Sequence, residues 1–146
     1  MINKGKEFIM MTNQLSQIRW GRVIGTALAV FAVSFLIVFL TVGAYAFYLA
    51  FQARGAPDQT MIQEFASRFA PWIGSITVIL FTFLGARWLA RRVGTATELH
   101  GLIVGVLVNL VNIIFEGAGI FSLSGLITTI LIIAGGWLGG RLTTSR

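Results

Sequence analysis

Residues 23–51 carry no charged side chain. Read as one helix, about 29 residues rise ~43 Å at ~1.5 Å each, which is longer than the ~30 Å hydrocarbon core of a bilayer. In water a helix that is apolar on every side needs burial on every side, which no small soluble fold provides. The run therefore reads as a membrane span with tilt, a kink or a projecting end. Tyr45 and Tyr48 suit a membrane–water interface, so the surplus length is expected to project there. Gly21 and Gly25, followed by Ala29 and Ala32, give this helix one face small enough for close approach of another.

The rest of the chain extends the pattern. Of 146 residues, 56% are hydrophobic and 11% charged, against about 25% charged in a soluble domain. Charges so few cannot cover a water-facing surface, so the chain belongs in a bilayer. Apolar segments at about 71–90, 98–116 and 122–140 follow the first, at about 23–51. The expected fold is all-α: a polytopic four-transmembrane-helix bundle over residues 21–146, preceded by a cytoplasmic tail over 1–20. Between spans one and two, Pro57 and Asp58 form a helix-start signal with Asp58 as N-cap. Met61, Ile62, Phe65 and Phe69 then share one side, which predicts a short amphipathic helix over 58–69 lying in the interface. Pro71 is placed to open the second span in its first turn, and Gly94 to stop it. Thr95 and Glu98 have capping-box spacing before span three. Gly117 and Gly119 turn the chain tightly, making spans three and four antiparallel neighbours.

Charge sets the orientation. With the N-terminus inside, Lys4, Lys6, Arg19, Arg22, Arg87, Arg91, Arg92, Arg141 and Arg146 fall on the cytoplasmic side and Arg54 and Arg68 outside. Nine against two is a strong positive-inside bias, so both termini are expected to be cytoplasmic. Trp20, Trp88 and Trp137 agree at the inner interface and Trp72 at the outer one. A cleaved signal peptide fits poorly, because the first apolar run exceeds an h-region of roughly 7–15 residues. Met10 and Met11 offer alternative starts, and a start at Met11 would leave residues 1–10 upstream of it.

Candidate site residues cluster on span three. Gly101, Gly105, Asn109, Asn112 and Glu116 fall at i, i+4, i+8, i+11 and i+15, along one stripe of an otherwise apolar helix. An unpaired amide near the middle of a span costs several kcal/mol, so Asn109 must face protein, water or another subunit. Asn109 and Asn112 are either interhelical glue or part of a solute path, and Glu116 is the one titratable group on the stripe. His100, at the inner end of the same helix, is expected at the interface. Gly21/Gly25, Gly101/Gly105, Gly135/Gly139 and Gly136/Gly140 all have small-x-x-x-small spacing and are read as helix-packing positions.

Several chemistries are excluded. The chain has no cysteine and one histidine, which leaves no thiolate nucleophile, iron–sulfur site or multi-His metal cluster. Ser124 and Gly125 resemble part of an intramembrane serine protease motif, but His100 is near the opposite membrane face. No catalytic constellation, cofactor site or metal site is expected. The net charge of +6 flanks apolar spans rather than forming a soluble basic face, so nucleic acid is not an expected partner.

The order of Tyr45-Ala46-Phe47-Tyr48, Ala53-Arg54-Gly55-Ala56-Pro57-Asp58-Gln59, His100-Gly101-Leu102-Ile103-Val104-Gly105 and the terminal Gly135-Gly136-Trp137-Leu138-Gly139-Gly140 resembles small uncharacterised four-span membrane proteins of bacteria. The resemblance covers most of residues 18–141. It implies the four-span architecture and an inner-membrane location, and carries no activity or catalytic residue with it.

Two functions fit these residues. One is a structural, accessory or assembly protein that packs through small-residue helix faces, in a homo-oligomer or a larger membrane complex. The other is a small oligomeric transporter or channel with Asn109, Asn112 and Glu116 lining a polar path. A dry, packed stripe favours the first and a wet cavity the second.

Overall fold

A computed structural model describes residues 18–94, 97–116 and 122–143, with the backbone only of Glu116. The tail over 1–17, the Thr95 cap and the turn at 117–119 lie outside the described residues. Four helices make up the fold: α1 (Trp20–Ala53), α2 (Gln59–Val93), α3 (Thr97–Glu116) and α4 (Leu123–Arg141). All four are long and apolar enough to cross a membrane.

Local chemistry sets their ends. After α1, Arg54 adopts a left-handed conformation at φ 49°. The Gly55 N–H reaches back to the Ala50 carbonyl at 3.3 Å and the Arg54 N–H to that of Phe51 at 3.4 Å, a Schellman closure. Asp58 caps α2, its Oδ1 accepting the Thr60 N–H at 2.8 Å. Gly94, at φ 72°, ends α2 with its N–H on the Ala90 carbonyl. Ser122 starts α4, its Oγ accepting the Gly125 N–H at 3.1 Å.

One expectation is corrected. No separate helix over 58–69 exists; α2 is a single helix of 35 residues that runs through Pro71. Proline in a helix interior removes a hydrogen bond and costs about 3 kcal/mol, which favours a break there. Packing on α1 on both sides of Pro71 works against the break. Phe65 stacks on Tyr45 with ring centroids 4.1 Å apart, and Gly74 lies close to Val38. Because Pro71 and Trp72 stand beside Ser122 and Gly125 at the start of α4, the stretch 59–70 extends past that start by about 18 Å at ~1.5 Å per residue. The α1–α2 hairpin is thus taller than the α3–α4 pair.

The two pairs share a base. α1 packs on α2 and α3, and α4 on α2 and α3, while α1 and α4 do not meet among the described residues. Contacts near Arg19, Arg92, His100 and Gly140 gather the starts of α1 and α3 and the ends of α2 and α4 at one end. This basic end carries Arg19, Arg22, Arg87, Arg91, Arg92 and Arg141. The core of Val23, Val30, Leu89, Val104, Val108 and Ile132 lies in the half of the bundle next to it. Apolar side chains also point outward, Phe47, Phe51, Ile114 and Leu123 being at least three-quarters exposed.

Candidate functional site

The stripe on α3 divides according to what it meets. Gly101 and Gly105 are buried against the backbone of α4. A Cβ on Gly101 would run into the Gly136 carbonyl and come within 3.0 Å of Gly140, and one on Gly105 would lie 3.1 Å from Ile132 O and Ile133 Cα. The pairing is antiparallel, as numbers rise on one helix and fall on the other. Gly140 in turn rests on Thr97, and Gly139 on the Phe83 carbonyl of α2. Gly135 faces Ile79 of the same helix, its Cβ position 3.5 Å from that carbonyl. Gly101, Gly105, Gly136, Gly139 and Gly140 let three backbones approach more closely than a side chain would allow, whereas Gly135 has room for a methyl group.

Gly21 and Gly25 differ from them. Both are exposed, with nothing within 4 Å of a Cβ. Of the glycines read as packing positions, the six on α3 and α4 lie inside this chain's own fold, and the two on α1 remain open. A second copy therefore cannot use Gly101 and Gly105 without opening the α3–α4 contact.

Further along the stripe, Asn109 is 7% exposed and its Oδ1 accepts no hydrogen bond. Asn112 is half-buried, and the side chain of Glu116 lies outside the described residues. Neither asparagine lines either of the two large grooves described below.

His100 is not at an exposed interface, as its position at a helix end suggested; it is 0% exposed. Its Nε2 accepts the backbone N–H of Arg19 at 3.3 Å. That donor belongs to the start of α1, where helical N–H groups have no partner in their own helix. The reason is geometric. With Gly101 held on α4, the preceding residue is turned by about 100° around α3, toward α1. Ser124 is far from His100, since about 24 Å of α4 separates it from Gly140, beside the start of α3.

The sequence reading did not find the first groove. About 560 Å³ in volume, it runs between α1 and α2 from the basic end, lined by Arg22, Gly25, Ala29 and Val33 on one side and Arg92, Trp88, Gly85 and Phe81 on the other. The Arg22 Nη1 donates to the Arg92 carbonyl at 3.3 Å, and the Arg92 guanidinium sits 4.3 Å from the Trp88 ring centroid. Each wall has a basic residue followed by small and apolar ones at spacings of three or four, a pattern visible in each helix alone. What the sequence hid was that the two walls face each other. A second groove of about 580 Å³ lies between α2 and α4 at the opposite end, where Ser75, Ser122, Ser124 and Thr128 join Trp72 and apolar residues.

These features define an all-helical protein with four candidate membrane spans, and no group of three or more His, Cys, Asp or Glu positioned for a metal ion among the described residues. Compared with known proteins, the chain matches no family model, no curated protein and no solved structure. Function is therefore read from this chain's own residues.

Proposed function

We propose that this chain is a structural or accessory protein of the bacterial inner membrane, with both termini cytoplasmic, that docks a partner helix on the open face of α1. The outward apolar surface supports a bilayer as its solvent, and the arginines gathered at one end support a cytoplasmic basic end. The tip of the α1–α2 hairpin, with Tyr48, Arg54 and Arg68, then reaches the outer headgroup region. The observation that carries the accessory role is the contrast among the glycines. The glycine part of the α3 stripe is packed against α4, whereas Gly21 offers a small-residue face, continued by Ala32, that none of the described residues covers.

The test is cross-linking and co-purification from native membranes in mild detergent. Gly21→Leu with Ala32→Leu is expected to abolish recovery of the partner, or of a second copy, with the monomer still folded. Unchanged recovery contradicts the reading. The transporter or channel alternative draws on one observation, the buried Asn109 Oδ1 without a hydrogen bond, which a solute or water chain in an oligomer would satisfy. In liposome flux assays that alternative requires Asn109→Leu to lower transport of some ion or solute.

A further inference from the structure

We propose that the α1–α2 groove is a binding site for an anionic phospholipid of the cytoplasmic leaflet, its phosphate held by Arg22 and Arg92 and an acyl chain lying along Ala29, Val33 and Phe81. This rests on the reading that the chain spans a bilayer with its basic end inside. Three features of the groove match such a ligand. Its charged residues are at one end only: Arg22 and Arg92 stand at the mouth, the hydroxyl of Thr26 is spent on the Arg22 carbonyl, and no acidic side chain lines the groove among the described residues. Its walls are otherwise small or apolar; the depression opens at Gly25, where nothing lies within 4 Å of a Cβ, whereas Gly85 lets Val30 and Thr26 of α1 close against α2. Its length along α1, from Arg22 to Val33, is about 16 Å at ~1.5 Å per residue, close to the depth of one leaflet in a ~30 Å hydrocarbon core.

The mouth is also ordered in advance. The Arg22 bond to the Arg92 carbonyl and the stacking of Arg92 on Trp88 tie both arginine side chains to this end of the groove. Two cations side by side repel each other, and a phosphate that accepts from both removes that repulsion. Trp88, about half exposed, places its ring where headgroup meets chain, as interfacial tryptophans do. A basic pocket between helices on the cytoplasmic side is a recognised form of headgroup site. A zwitterionic lipid gains less, because its own ammonium opposes the arginines. The groove is thus selective by charge at its mouth and by shape along its length.

The experiment is tryptophan quenching by lipids brominated on their acyl chains. The full chain is reconstituted in phosphatidylcholine vesicles with a minor fraction of brominated phosphatidylglycerol, or the same fraction of brominated phosphatidylcholine. The Trp88 signal is the part that Trp88→Phe removes. With one or two arginines contributing at the membrane surface, phosphatidylglycerol should be preferred about 5- to 30-fold at Trp88. Arg22→Gln with Arg92→Gln should reduce the preference to near unity. Ala29→Leu, which fills the groove from an exposed position and leaves both arginines in place, should also abolish it. Equal quenching by the two lipids in the wild-type chain overturns the proposal. So does a preference that survives Ala29→Leu, since the groove would then take no part. Disulfide cross-linking of two Ala29→Cys chains that persists when Gly21→Leu and Ala32→Leu are added overturns it as well, because a second copy would then occupy the groove itself. Failure of the bilayer reading itself looks different: neither brominated lipid would quench any tryptophan.

Discussion

Adding one methyl group at Gly101 should loosen the α3–α4 contact, while the same change at Gly21 should not. In Gly101→Ala the new Cβ meets only backbone of α4, the Gly136 carbonyl and the Gly140 N and Cα at 3.0 Å, and no side chain can swing away to relieve it. Restoring ordinary contact at 3.4 Å or more requires the helices to part by roughly 0.5–1 Å. A gap of that size forfeits a quarter to a half of each atom pair's ~0.1–0.2 kcal/mol of attraction. Over the atoms around Gly101, Gly105, Gly136 and Gly140 this sums to about 1–3 kcal/mol, in line with overpacked cores. The gain in helix propensity from glycine to alanine returns ~1 kcal/mol, leaving a net loss of up to about 2 kcal/mol. At Gly21 nothing lies within 4 Å, so only the propensity gain remains; that gain is common to both variants, which should therefore differ by the packing loss of about 1–3 kcal/mol. The assay is equilibrium unfolding in mixed micelles titrated with dodecyl sulfate, followed by far-ultraviolet circular dichroism. Equal midpoints for Gly101→Ala and Gly21→Ala would refute the close-packing account.

Further variants bear on other parts of the account, in the same unfolding assay unless stated. His100→Ala removes the acceptor for the Arg19 N–H and should cost roughly 1–3 kcal/mol for the stranded donor alone; a change under ~0.5 kcal/mol would mean that the buried imidazole holds nothing in place. Pro71→Ala supplies the missing N–H inside α2 and should stabilise the chain, whereas a loss of stability would point to a helix that begins at Pro71. Arg54→Gly relieves a side chain held in the left-handed region and should gain about 1 kcal/mol; a loss would mean that the Arg54 side chain contributes more than its backbone strain costs. Asn109→Leu removes a buried carbonyl oxygen without a partner and should leave stability unchanged or raised, with partner recovery intact, whereas a loss of solute flux would favour the transporter reading.

Much of the helix plan was legible because it rests on local chemistry. The uncharged run at 23–51 lies inside α1, Asp58 caps α2 and Gly94 ends it. Pro71 misled because the local cost of proline in a helix was visible, while the contacts that offset it, Tyr45 on Phe65 and Val38 beside Gly74, join residues far apart in sequence. The site was harder for the same reason. Spacing put Gly101, Gly105 and Asn109 on one face, but nothing local showed that α4 already fills the glycine half of it. Equal spacing made Gly21 and Gly25 look like Gly101 and Gly105, and only the packing separates open glycines from used ones. His100 looked interfacial because it stands near a helix end; its burial follows from α1 closing over the start of α3.

A bilayer crossed four times with the basic end inside underlies the proposed function, and the absence of cysteine gives a clean way to measure it. Single cysteines at Ala56, between α1 and α2, and at Thr143, just after α4, can be offered a membrane-impermeant maleimide in intact spheroplasts and again after lysis. Ala56→Cys is expected to label in intact spheroplasts and Thr143→Cys only after lysis. Labelling of Thr143→Cys from outside, or protection of Ala56→Cys until lysis, would contradict that topology.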